Sequence, residues 1–214
     1  MAATFIGISG SIGAGKSSLT QFLCRHFPLT PLPEPNEANP FLADFYRDMS
    51  AFALQSQLWF LTHKLALFRQ MEQQGVPFIQ DRVIYEDAEV FCHNLHAQGN
   101  MRTRDYELYQ ELYRQVRDLF RPPDLLIHLS CPLKVTRTRI RLRGREMEQG
   151  LPRGYLQRLE TRYREWIDAF DLCPVLHLDT SRINFVDDLV DQSDVLCRIA
   201  GLLARDHRRS PTPC

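Results

Sequence analysis

Neither sign of charge prevails in this chain: 26 lysines and arginines meet 26 aspartates and glutamates. Without a global basic field, a nucleic-acid polymer or a membrane surface is not the expected partner, and a small ligand is. No apolar run approaches the ~20 residues that a membrane-spanning helix requires. No basic leader precedes Lys16 either, so the cytoplasm is the expected address. No two cysteines form a CxxC pair; Cys24, Cys92, Cys131, Cys173, Cys197 and Cys214 are scattered without zinc-like spacing and are expected as reduced core or surface residues. No segment repeats. A chain of 214 residues then supports one well-buried core, 1–205, with or without a small lid.

What is present is an alternation of short apolar runs with helical patterns. Thr4 to Ser9 reads as a strand, and Lys16 to Phe27 as the helix after a glycine-rich turn. Leu29 to Glu34 carries Pro31 and Pro33, which restrict it to a sheet edge. Ser50 is placed to cap a long apolar helix that runs to about Gln74 and stops at Gly75. Val76 to Gln80 reads as a central strand with Asp81-Arg82 at its end. Helical patterns follow at about Tyr85 to His96 and Arg104 to Phe120, and then a strand at Leu125 to Leu129. Helices over Pro132 to Arg143 and Pro152 to Phe170, a strand at Val175 to Leu178 and a helix over Val186 to Ala204 complete the pattern. The expected fold is α/β: a five-stranded parallel sheet flanked by helices. The tail, 206–214, rich in arginine and proline, is expected to be disordered.

Gly10-Ser11-Ile12-Gly13-Ala14-Gly15-Lys16-Ser17 matches the phosphate-binding P-loop between a strand and a helix. In that loop backbone N–H groups cradle phosphates, the lysine reaches the β and γ phosphates, and the serine hydroxyl ligates Mg²⁺. Ser18 extends the cradle. ATP and Mg²⁺ are therefore the expected cofactors, and the fold class narrows to that of P-loop NTPases.

Ligands of open α/β sheets sit at the carboxyl ends of the strands, where Glu34, Asp81 and Arg82 fall. A carboxylate there can deprotonate an attacking hydroxyl, and an arginine can stabilise charge on the transferred phosphoryl. Asp81 is the candidate base, its alternative being a plain helix cap after a strand. Five arginines alternate from Arg137 to Arg145, and at 100° per residue Arg137 and Arg141 share one helix face while Arg139 and Arg143 lie nearly opposite. Gly144 then frees Arg145, so that about 143–150 reads as an arginine-rich lid rather than a solvated basic face.

These motifs, with Glu34-Pro35, Phe45-Tyr46, Leu54-Gln55, Tyr85, Asp87 and Glu148-Gln149-Gly150, resemble the deoxynucleoside kinase family, and its bacterial deoxyadenosine and deoxyguanosine kinases in particular. The resemblance runs from about Phe5 to Leu203. It implies transfer of the γ-phosphoryl of ATP to the 5′-hydroxyl of a deoxynucleoside. By position it makes Asp81 the base, with Arg82 and Lys16 beside it, and gives Glu34 a part in positioning the hydroxyl and the metal, with Ser17 as metal ligand. Tyr46 and Glu148 would hold the 3′-hydroxyl, Gln55 and Asp87 would read the base, and Arg139, Arg143 and Arg145 would be the lid arginines. Thr62 and Asn39 stand where animal relatives carry an arginine and a tryptophan, which leaves Asp87 without an expected ionic partner. Deoxyadenosine is the expected acceptor, since an amide matches the donor and acceptor edge of adenine. The family also implies a homodimer, for which Leu159, Trp166 and Phe170 could serve unless they belong to the core. Two alternatives stand: a thymidylate or other nucleoside monophosphate kinase, and a kinase-like structural subunit without catalysis.

Overall fold

A computed structural model describes residues 3–206. Five strands, β1 (Phe5–Gly10), β2 (Thr30–Leu32), β3 (Phe78–Asp81), β4 (Leu125–Ser130) and β5 (Val175–Asp179), form one sheet in the order β2-β3-β1-β4-β5. Every neighbouring pair is parallel, and each parallel return is made through helices. β1 lies in the middle, wholly buried, while the proline-bearing β2 takes the edge.

Because successive side chains of a strand point to opposite faces, the sheet divides two apolar cores. Phe5 packs with Phe68, Phe78, Leu126 and Tyr163 on one side, and Ile6 and Ile8 with Leu19, Phe22, Ile127 and Ile199 on the other. α3 (Met49–Gln74), α6 (Thr103–Arg117) and α8 (Arg153–Ala169) cover the first face; α1 (Lys16–His26) and α9 (Leu189–Asp206) cover the second. Leu159 belongs to the first core, and Trp166 and Phe170 pack against it, so these three are core rather than a free interface. Cys92 and Cys131 are free thiols in the interior.

Three boundaries differ from expectation. The cap of α3 is Asp48, whose carboxylate accepts from the Ala51 amide at 3.1 Å; Ser50 instead donates its hydroxyl to that carboxylate. The final helix starts at Leu189 because Asp188 accepts from the Val190 and Asp191 amides, at 2.9 and 3.1 Å, and ends the loop before it. The helix expected over Tyr85 to His96 is three pieces: α4 (Ile84–Glu86), a π-helical turn over Asp87–Cys92, and α5 (His93–Ala97). No proline or glycine marks that widening in the sequence. The expected disordered tail lies, from residue 207, outside the described residues.

Candidate active site

β1 delivers the chain into the phosphate loop, where Gly10, Gly13 and Gly15 have φ of 141°, 79° and 105°. A methyl group at Gly10 would stand 2.6 Å from the Leu129 carbonyl oxygen, and one at Gly13 would stand 3.0 Å from that of Thr136. Glycine is therefore required there both by torsion and by space. The Lys16 ammonium donates to the Gly10 and Ser11 carbonyls at 2.8 and 3.1 Å, and Ala14 is packed into the core behind the loop. Burial, with the Arg82 charge second, pushes the Lys16 amine down to about 8 against the pull of Asp81, Glu34 and Glu86.

In front of the loop lies a cavity of about 430 Å³, lined by Gly13, Gly15, Lys16, Ser17 and Ser18, by Asp81, Arg82 and Glu34, and by Arg139, Arg143, Arg145 and Glu148. Residues expected from four separate stretches of sequence thus converge. The segment after β5 closes the cavity with Ile183, Asn184, Phe185 and Val186, a wall that carries no short motif and was not anticipated.

At the end of β3 the Ser17 hydroxyl donates to one Asp81 carboxylate oxygen at 2.8 Å, while the other oxygen is buried without a partner. A hydroxyl and a carboxylate side by side, with one oxygen uncommitted, are the hard-oxygen donors that fit Mg²⁺. Among the described residues no cluster of three or more His, Cys, Asp or Glu forms a self-sufficient metal cage. A metal shared with phosphate oxygens needs none.

Arg82 follows with a φ of 67°, the one positive φ among described non-glycine residues, held by its amide donating to the Ile8 carbonyl at 2.8 Å. This turn aims its guanidinium across the cavity into an ion pair with Glu34. Burial works to raise the Glu34 carboxyl, but Arg82, aided by Lys64 and Lys16, outweighs it and holds the group down at about 2.

Behind that pair a narrow cleft runs between α2 (Leu42–Arg47), α3 and the π-helical turn, lined by Tyr46, Gln57, Phe60, Asp87, Phe91 and Tyr155. Glu34, Asn36, Tyr46 and Arg82 line both spaces, so the two meet at these four residues. At about 20 Å³ the cleft is far below the roughly 300 Å³ of a small-molecule site.

Two expected cleft residues are corrected here. Gln55 is exposed, and the amide in the cleft is Gln57, whose buried side-chain oxygen has no partner. Thr62 is likewise exposed, its hydroxyl donating to the Leu58 and Trp59 carbonyls; one helical step of two residues, about 200°, separates it from the inward Lys64. Lys64 is almost wholly buried and donates to both Asp87 oxygens at 2.8 and 2.6 Å, so Asp87 does have an ionic partner. Burial still pushes the Asp87 carboxyl up against Lys64. A lone lysine on a largely apolar helix was the available signal. Asn39 is a buried turn residue: its amide donates to the Ser56 hydroxyl at 3.3 Å, and its carbonyl accepts from the Phe41 amide at 3.0 Å.

The arginine run divides by face as expected, with Arg137 and Arg141 exposed and Arg139 and Arg143 turned to the cavity from α7 (Leu133–Arg143). Arg139 is no mobile lid group: its guanidinium donates to the Thr180 carbonyl and hydroxyl at 2.7 and 2.8 Å and to the Ala14 carbonyl at 3.2 Å, bracing the end of β5 to the phosphate loop. Past Gly144, Arg145 reaches Glu148 and Glu37, and Arg143 pairs with Glu148, which sits buried on a short 3₁₀ turn, Glu146–Glu148.

A phosphate loop facing a second cleft across an acid–base pair, under an arginine lid, defines a P-loop phosphotransferase. The comparisons with known proteins narrow it. The profile described as deoxynucleoside kinase matches residues 6–204, and the chain belongs to that family. It is 32% identical over 209 residues to the deoxyadenosine/deoxycytidine kinase of Bacillus subtilis, covering 96% of each. With the deoxyadenosine kinase of Dictyostelium discoideum it shares 36% over 185 residues, 86% of this chain and 74% of the relative. Among solved structures, deoxyadenosine kinase from M. mycoides with bound dATP superposes with a TM-score of 0.80 at 25% identity, over 92% of this chain and 99% of that one.

Proposed function

We propose that this deoxynucleoside kinase transfers the γ-phosphoryl of ATP to the 5′-hydroxyl of a deoxynucleoside, with deoxyadenosine as the preferred acceptor. The observation that carries this reading is the junction of the phosphate cavity and the cleft behind it at Glu34, Asn36, Tyr46 and Arg82. A nucleoside lying in the cleft presents its 5′-hydroxyl at that junction, in line with a phosphoryl held by the loop.

The side chains divide the work by position. The loop amides and Lys16 hold the phosphates, and Arg143 and Arg145 neutralise them from above. Ser17 and Asp81 would hold Mg²⁺, which when bound neutralises charge on the phosphate oxygens. Asp81 lines the phosphate cavity only, whereas Glu34 lines both spaces, so Glu34 takes the proton of the hydroxyl, the part expected of Asp81. Arg82 then stabilises the moving phosphoryl. Tyr46 and Glu148 hold the sugar 3′-hydroxyl. Gln57, with an uncommitted oxygen, and Asp87 read the base, and the relatives that act on deoxyadenosine support adenine.

A monophosphate acceptor is disfavoured because, among the described residues, the one cation lining the cleft, Arg82, is already paired with Glu34. A purely structural part is disfavoured by the complete loop, acid and lid set. The deciding experiment offers purified protein Mg²⁺·ATP with each deoxynucleoside and, separately, each deoxynucleoside monophosphate. Formation of dAMP from deoxyadenosine ahead of the other three products is the expected result. Conversion of monophosphates alone would defeat the proposal. In the same assay Glu34→Gln should lower kcat by about 10² to 10⁴. Asp81→Asn should also lower turnover, but with a weakened response to Mg²⁺.

We also propose a homodimer. Leu108, Leu112 and Leu119, on and just after α6, stand exposed, and α6 packs beside α3, where Leu58 and Leu65 are half-buried. The two helices offer an apolar face to a second copy.

A further inference from the structure

One buried carboxylate has no part in the chemistry so far. Glu86, in α4, is fully buried. One of its oxygens accepts from the Val83 amide at 3.1 Å; the other accepts from the Tyr163 hydroxyl at 2.7 Å and the Gly10 amide, the first of the phosphate loop, at 3.4 Å. The latter oxygen also stands 3.8 Å from Nε of Arg82. That Nε is buried and makes no hydrogen bond, while the other arm of the guanidinium pairs with Glu34 and its plane lies 4.3 Å from the centre of the Phe91 ring. Arg82 is thus set between two buried carboxylates, one facing the acceptor and one facing the phosphate loop.

We propose that Glu86 is a positioning residue for phosphoryl transfer: it is the second carboxylate of Arg82, fastening that guanidinium to the first amide of the phosphate loop and drawing its charge off Glu34. The inference rests on the kinase reading above. A base clamped by an arginine is a weak base, and Glu34 is so clamped. With an ionised Glu86 on its other side, Arg82 has somewhere to place its charge while Glu34 accepts the hydroxyl proton. With Glu86 protonated, the whole of that charge falls on Glu34.

The charged and titratable groups that face Glu86 come from every neighbouring element: Arg82 after β3, Lys16 from α1, Lys64 from α3 and Tyr163 from α8. Burial pushes the Glu86 carboxyl up to about 7, the largest effect, against the opposing pull of those four. Its ionisation, and hence turnover, falls as pH drops through neutrality. His128, whose ring lies 5.9 Å from that of Tyr163, is pushed down to about 4 by burial, with His177 and Lys16 adding to the shift, and stays neutral in this range.

The test is the pH profile of kcat at saturating Mg²⁺·ATP and deoxynucleoside for the wild type, Glu86→Gln and Tyr163→Phe. The wild type should show an acid limb near neutrality. Glu86→Gln should lose the limb, with kcat at pH 8 reduced at least tenfold and both KM values within twofold of wild type. Tyr163→Phe removes a hydrogen bond to the ionised form and should move the limb to higher pH. Glu86→Gln should melt no lower than wild type above pH 7. A carboxyl raised on folding gives stability that is full below its unfolded pKa and lost as pH climbs through the folded one, and the amide lacks that loss. A limb that persists in Glu86→Gln, or stays in place in Tyr163→Phe, overturns the inference alone. A wild type that phosphorylates no deoxynucleoside overturns the kinase reading and this inference together.

Discussion

At the scale of single residues, the site turns on a few side chains whose environment differs from that of their neighbours in sequence. Gln57 lines the cleft and Lys64 turns inward to pair with Asp87, while Gln55 and Thr62 face outward on the same helix. Their substitution should separate cleanly. Lys64→Ala leaves Asp87 buried and unpaired and should cost about 3–5 kcal/mol in a denaturant titration, whereas Thr62→Ala should stay within about 0.5 kcal/mol of wild type. Gln57→Ala should raise KM for the deoxynucleoside by about tenfold with KM for ATP unchanged, and Gln55→Ala should change neither. The steady-state constants for both substrates check this.

At the scale of elements, the sequence was most legible where pattern and chemistry coincide. The five strands, the phosphate loop and the stop of α3 at Gly75 were readable because buried parallel strands are short apolar runs and because a φ of 63° selects glycine. Gly75→Ala should therefore lower stability by about 1 kcal/mol although an added methyl group meets nothing within 4 Å. Asp48→Ala should lower the denaturation midpoint more than Ser50→Ala, since the carboxylate rather than the hydroxyl receives the helix amide. What could not be read was rotational phase. A long helix with apolar residues on several sides does not declare which face meets the cleft, and the amide that enters it, Gln57, stands two residues beyond the Gln55 that the resemblance implies. The π-helical turn escaped for a related reason: its ordinary composition conceals an added residue per turn, at the point where Asp87 enters the cleft. Arg139 shows a third limit, because its brace to Thr180 depends on a strand 41 positions away.

At the scale of the whole molecule, the neutral chain holds a small set of charges inside: Lys16, Arg82, Lys64, Glu34, Glu86 and Asp87 are buried or nearly so, and they answer one another around the junction of cavity and cleft. Among the described residues no helix is long and apolar enough to cross a membrane. The dimer proposal rests on the exposed leucines of α6, Leu108 and Leu112. Leu112→Glu should halve the mass measured by sedimentation at micromolar concentration while the circular-dichroism spectrum stays that of the wild type; a wild-type monomer would remove the dimer proposal.

The partition of the interior by the sheet has a consequence for substitution. Gln57, Lys64, Asp87 and Phe91 belong to elements rooted in one core, and the loop helix α1 and the closing helix α9 in the other, with β1 as the shared wall. Rewriting Gln57 or Phe91 on one side of the sheet should therefore change which nucleoside is accepted while leaving the seat of α1, which opens the phosphate site, intact on the other.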